Sequence, residues 1–239
     1  VSGRPERVIV TGASRGIGRV LAERLLAEGR RVALVARDTA ALEALARGSG
    51  GRAVAIPADL ADPAEVARVV PRALEALGEV DGLVACAGIA EHRPLQAIDA
   101  AQIDAHFAVN ARAPLLLARD VAAHLRARAS EGAIVLVASS VALGGVPGTS
   151  VYAASKGALI AATRALAVEL APAIRVACVA PGGTDTDMVR GRKEALASEH
   201  PLGRLAEPAE IAAALAFLLD APFATGTILA IDGGQSARL

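Results

Sequence analysis

Val8-Ile9-Val10-Thr11-Gly12-Ala13-Ser14-Arg15-Gly16-Ile17-Gly18 is the stretch whose reading decides the fold. A β-branched apolar run meets three spaced glycines, and the pattern then turns helical. Leu21 and Leu25 share one face, while Arg19, Glu23 and Glu28 mostly point away from it. Strand, glycine turn and helix form the arrangement in which main-chain N–H groups and a helix N-terminus receive a pyrophosphate. Gly12 suits the tight turn, Gly16 admits the phosphates, and Gly18 allows close packing of helix on strand. The spacing departs from the usual G-x-G-x-x-G, so the rest of the chain has to carry the reading.

Working outward, strand and helix patterns alternate to the end of the chain. Strands are expected at Arg31–Val35, Ala53–Ile56, Gly82–Ala85, Ile134–Val137, Ile174–Ala180 and Thr227–Ile231. Helices are expected at Thr39–Arg47, from Pro63 to about Leu77, from Asp99 to about Arg128 with a break near Pro114, and at Tyr152–Leu170 and Pro208–Leu219. Asp62-Pro63-Ala64-Glu65 reads as a helix start, with Glu65 placed for a capping box. The strands are continuously apolar, as in a parallel sheet covered on both faces. The expected fold is therefore α/β: a doubly wound, Rossmann-type sheet of seven parallel strands in the order 3-2-1-4-5-6-7. One domain spans residues 1–239, with a polar substrate flap at about 184–205. An eight-fold barrel would need one more strand–helix unit and leaves the glycine turn unexplained.

Composition narrows the function. Lys+Arg and Asp+Glu number 25 each, so the balanced charge gives no reason to expect nucleic acid or an anionic membrane surface. No apolar run reaches the roughly 18 residues of a membrane span, and no signal-peptide pattern opens the sequence. A cytoplasmic location is the expectation. Cys86 and Cys178 lie in apolar runs and read as reduced, unbridged thiols, because strand five would separate them. His92, His106, His124 and His200 show no metal-ligand spacing and read as surface or loop residues; no metal is expected.

The second decisive stretch is Tyr152-Ala153-Ala154-Ser155-Lys156. Four residues apart on a helix, the phenol and the ammonium share a face. A free tyrosine titrates near 10, too high for efficient proton transfer at neutral pH, and a neighbouring cation lowers that value. Ser139 stands at the carboxyl end of the fifth expected strand, with Ser140 as a rival beside it.

Together Thr11-Gly12, Gly16-Ile17-Gly18, Asn110, Ser139, Tyr152-x-x-x-Lys156, Pro181-Gly182 and Asp232-Gly233-Gly234 resemble the short-chain dehydrogenase/reductase family over nearly the whole chain. The pattern is nearest to that of the 3-oxoacyl-acyl carrier protein reductases. The resemblance implies that Tyr152 exchanges a proton with the substrate oxygen and that Ser139 hydrogen-bonds that oxygen. Lys156 would depress the Tyr152 pKa and bind the nicotinamide ribose, and Asn110 would hold a water that links Lys156 to a proton relay. It further implies that Gly12, Ser14, Arg15, Gly16, Ile17 and Gly18 receive the phosphates. Asp59 and Leu60 would meet the adenine and Gly88 its ribose. Pro181, Gly182, Thr184 and Thr186 would hold the carboxamide and begin the flap. One departure stands out: Ala85-Cys86-Ala87-Gly88 replaces the family's usual Asn-Asn-Ala-Gly. It removes side-chain hydrogen bonds worth about 1 kcal/mol each and leaves the reacting groups untouched.

The expected cofactor is NADP(H). Ala36 occupies the end of strand two, where an NAD-binding sheet places an acid, and Arg37 and Arg15 are available to a 2′-phosphate. Asp38 keeps NAD(H) open, because a small shift of register would bring it to the ribose. The expected partners are a small-molecule or acyl-thioester substrate and further copies of the chain, as a tetramer or dimer. A nucleotide-sensing protein without turnover, an epimerase or dehydratase of the same fold, and an NAD-dependent dehydrogenase of a sugar, steroid or other small alcohol remain alternatives.

Overall fold

A computed structural model describes residues 3–238. Seven strands form one parallel sheet: β1 (Arg7–Thr11), β2 (Arg31–Ala36), β3 (Ala53–Pro57), β4 (Gly82–Ala85), β5 (Gly132–Val137), β6 (Ile174–Pro181) and β7 (Ile228–Ile231). Their order is β3-β2-β1-β4-β5-β6-β7, as expected from the sequence. The sheet is apolar on both faces because successive side chains alternate. Ile9 faces α3 (Pro63–Leu77), α5 (Ala113–Ala127) and α6 (Ser150–Leu170). Val8 and Val10 face α1 (Gly16–Ala27), α2 (Thr39–Arg47) and α8 (Pro208–Asp220). The strand order reverses between β1 and β4, which opens a crevice at the carboxyl ends of the strands, the usual ligand position in such sheets.

Four local expectations need correction. Asp62 caps α3 through Ala64 N at 2.8 Å, but Glu65 reaches past it to Asp59 N at 2.6 Å, so no capping box closes. The break near Pro114 lies earlier: α4 (Ala100–Phe107) widens into a π turn at Ala108–Arg112, and Pro114 fits the first turn of α5, where its missing N–H costs nothing. In the segment read as a flap the only difference from its weak periodicity is a 3₁₀ turn at Asp187–Val189 and the short α7 (Lys193–Glu199), which periodicity did not mark. Finally, His106 and His200 are buried, not surface residues. Each buried ring spends both nitrogens on main-chain groups, which removes the cost of taking it out of water.

Far from the crevice, Arg30 is fully buried where α1 ends. Both its terminal nitrogens meet the Asp220 carboxylate, at 2.8 and 2.6 Å, and Pro5 O and Glu28 complete the set. Cys86 and Cys178 are both free thiols, on either side of β5.

Candidate active site

The glycine turn works by exclusion of side chains. A Cβ at Gly18 would stand 2.4 Å from Gly12 O, so only glycine lets α1 start this close to β1. Gly12 and Gly16 adopt φ of 70° and 56°, the left-handed region that favours glycine. No side chain caps the first turn of α1, whose N-cap residue is Arg15. Its leading N–H groups therefore face the crevice free for an anion. Thr11, buried at the end of β1, accepts from Ala87 N at 3.0 Å and fastens the chain after β4 to the turn.

One cleft of about 630 Å³ runs from this turn to the end of β6. Among the residues singled out in the sequence, Gly12, Ser14, Arg15, Gly16, Ile17, Gly18, Arg37, Asp59, Leu60, Gly88, Ser139, Tyr152, Lys156, Pro181, Gly182, Thr184 and Thr186 all line it. Asn110 does not. It is fully buried behind the cleft, where its amide donates to Ile89 O and Ser155 Oγ and its oxygen accepts from Ile89 N. Its side chain is thus a clamp between the chain after β4 and α6. The implied water cannot be held by the amide N–H groups, which are both used.

Ser139 and Tyr152 line the same end of the cleft, and the serine hydroxyl favours the ionised phenol. Ser140 turns elsewhere, donating to Gln235 Oε1 at 2.8 Å. The His106 ring stands edge-on to Tyr152, with centroids 6.4 Å apart. Lys156 is buried and donates to Val137 O at 2.8 Å. Gly88 is what leaves it room, since a Cβ there would lie 3.1 Å from its Nζ and 3.2 Å from Asn110 Oδ1.

Burial dominates the electrostatics of the site. It raises the Tyr152 pKa, and Ser139 only partly opposes it. Burial also lowers Lys156 to about 8, with Cys86 and Cys178 opposing the shift. Desolvation wins for both groups because each charged form loses more water than its neighbours replace. Cys86 itself is pushed up to about 11 by burial. Lys156, distant from both cysteines in sequence, is the cation that the fold brings near them.

At the other end of the cleft, Arg37 is exposed and ion-paired with no described residue. Asp38 is committed elsewhere, because it caps α2 by accepting from Ala41 N at 3.0 Å. Arg15 lies 3.9 Å from Asp187 in an exposed pair across the flap. Met188, Arg192, Glu199, His200 and Gln235 also line the cleft, and nothing in their local sequence marks them. They reach it only because the flap and the C-terminal turn fold back over β6.

A doubly wound sheet with a side-chain-free phosphate turn, and a serine–tyrosine pair at the far end of the same cleft, defines a dinucleotide-dependent oxidoreductase. The chain belongs to the short-chain dehydrogenase/reductase family, which uses NAD or NADP. A family model described as enoyl-(acyl carrier protein) reductase matches residues 12–236. The chain is 39% identical to the 3-oxoacyl-[acyl-carrier-protein] reductase of Homo sapiens, over 94% of this chain and 95% of that one. It is 40% identical to the cis-4-hydroxycyclohexanecarboxylate dehydrogenase of Sinomonas cyclohexanicum, with 97% of each covered. A solved short-chain dehydrogenase from Burkholderia cenocepacia in complex with NADP superposes with a TM-score of 0.90 at 40% identity, covering 96% of this chain and 97% of that one. A 3-ketoacyl-(acyl-carrier-protein) reductase from Brucella melitensis complexed with NADH gives 0.91 at 35% identity and the same coverage. No helix among the described residues is long and apolar enough to cross a membrane.

Proposed function

We propose that this chain is an NADP(H)-dependent reductase of a carbonyl compound, of the 3-oxoacyl-acyl carrier protein reductase kind. The observation that carries the reading is the convergence of Ser139, Tyr152 and Lys156 at one end of a cleft that starts on the glycine turn. The empty first turn of α1 and the exclusion of a Cβ at Gly18 fit a dinucleotide. Gly12, Ser14, Gly16 and Ile17 would take its phosphates, Asp59, Leu60 and Gly88 its adenosine, and Pro181, Gly182, Thr184 and Thr186 its nicotinamide end. Arg37, with Arg15 beside it, suits a 2′-phosphate, because a guanidinium pairs phosphate oxygens in two directions and keeps its charge. The commitment of Asp38 to capping α2 supports NADP(H) over NAD(H).

When bound, the reduced nicotinamide supplies a hydride to the substrate carbon. The chain's own part is the proton. Tyr152, held protonated by burial, gives its proton to the carbonyl oxygen as negative charge develops there. Ser139 donates a hydrogen bond to the same oxygen, an interaction worth most in the transition state. Lys156 would hold a ribose hydroxyl, and Asn110 keeps α6 in place through Ser155. We place the enzyme in the cytoplasm as a homo-oligomer. Val168 on α6 and Phe217 on α8 are 82% and 62% exposed, large apolar groups that a second copy would cover. The deciding experiment is reduction of a panel of 3-oxoacyl thioesters, cyclic ketones and sugars by NADPH and by NADH. Cofactor bound without turnover across the panel would instead mark a nucleotide-sensing protein.

A further inference from the structure

His200 closes α7 and is 3% exposed. Its Nδ1 lies 2.7 Å from Leu196 O, and its Nε2 lies 2.9 Å from Gly183 N. A main-chain carbonyl can only accept and a main-chain N–H can only donate. The ring is therefore neutral, with its proton on Nδ1, and its Nε2 lone pair receives Gly183 N–H. Glycines surround it: a Cβ at Gly182 would stand 2.7 Å from Nε2, one at Gly183 2.9 Å from Cε1, and one at Gly233 3.4 Å from its Cβ. A single side chain thus joins the flap helix, the turn after β6 and the turn after β7.

Main-chain bonds run beside His200, as do the side-chain links of Lys193 to Asp185 and of Gln235 to Glu199. Ala206 N donates to Gly183 O, Asp185 N to Ala206 O, and Leu202 N to Gly233 O. The Asp232 carboxylate is taken by Gly234 N and Ser236 N. Gly183 N–H has His200 as its partner, so it would lose its acceptor in the interior if the ring were removed or protonated.

We propose that His200 is a positioning residue, whose neutral ring holds residues 181–186 in the shape that receives the nicotinamide end of the cofactor. The proposal rests on the NADP(H) reading above. His200 touches only the far end of the cleft, so its loss falls on the nicotinamide half of the ligand. The adenosine half, on the glycine turn, Arg37 and Asp59, is untouched. Asp232 faces the ring from the turn after β7, and Glu199 precedes it on α7. Farther charges are paired among themselves, Asp185 with Lys193 and Arg204 with Glu210.

The test is calorimetric binding of NADP⁺ and of 2′,5′-ADP to the full chain as wild type, His200→Leu and His200→Gln. His200→Leu is expected to weaken NADP⁺ by about 10-fold or more, while 2′,5′-ADP changes by less than about 2-fold, the scale of one lost buried hydrogen bond. The amide oxygen of His200→Gln can accept from Gly183, so it should recover most of the NADP⁺ affinity. Should His200→Leu fail to fold, His200→Asn, whose shorter amide falls short of Gly183, decides the matter: it should show the same selective loss of NADP⁺. Equal loss of both ligands in either folded variant, or no loss of either, overturns the proposal. Wild type binding neither ligand overturns the cofactor reading itself.

Discussion

The Lys156 ammonium donates to the Val137 carbonyl at 2.8 Å, tying α6 to the carboxyl end of β5 inside the cleft. Burial holds this group at about 8, against 10.5 when solvated. Below pH 8 both folded and unfolded chains carry the charge, and the folded state bears the full desolvation cost. Between about 8 and 10.5 the unfolded chain keeps the proton that the folded chain has lost, so stability rises with pH. Wild type should therefore gain stability relative to Lys156→Met across that window. Urea unfolding of both chains at pH 7.5, 9 and 10 measures it, and a constant difference would show that Lys156 is not desolvated.

Tyr152→Phe should fold and bind NADPH as wild type does, yet lose turnover by about 10²-fold or more, the scale of a missing general acid. The basis is the shared position of Tyr152 and Ser139 at one end of the cleft, where both hydroxyls can meet the substrate oxygen. Single-turnover rates with saturating NADPH are the measurement. A variant that keeps half of wild-type turnover removes Tyr152 from the mechanism.

Arg37→Ala should lower kcat/KM with NADPH by roughly 10-fold and leave NADH nearly unchanged, as expected when one charge-assisted phosphate contact is lost. Arg37 is exposed beside the cleft with no ion-pair partner among the described residues, whereas Arg15 already has Asp187 within 3.9 Å. The smaller effect is therefore expected for Arg15→Ala. Better efficiency with NADH in the wild-type enzyme would reverse the assignment.

Asp220→Ala should destabilise the fold by about 3 kcal/mol, because it leaves the buried Arg30 guanidinium without its main counter-charge. Arg30→Met, which removes the charge and keeps an apolar stem, should cost less than Asp220→Ala. Thermal midpoints of both variants test this, and the reverse ranking would mean that Glu28 and Pro5 alone satisfy Arg30.

Much of this protein was legible because its signals are local. The β-branched run Val8–Val10 and glycines at 12, 16 and 18 specify a strand, a turn and a helix start within about one chain turn of one another. Continuous apolar strands separated by helical patterns require a covered parallel sheet, and the strand order followed. Tyr152 and Lys156 share a helix face by spacing alone.

What tertiary structure decided depends on groups distant in sequence. Glu65 was placed correctly for a cap, yet Asp62 N already donates to Asp59 O, and Glu65 receives Asp59 N instead. Cys86 has no cation near it in sequence, and Lys156, on α6, supplies one. His106 and His200 looked like loop residues because burial is set by what folds over them, Tyr152 for one and the turns at Gly183 and Gly233 for the other. Burial raises the Tyr152 pKa and lowers that of Lys156, since desolvation is a property of the whole cleft. Local chain geometry is written in neighbouring residues; the water that a group loses is set only when distant elements close around it.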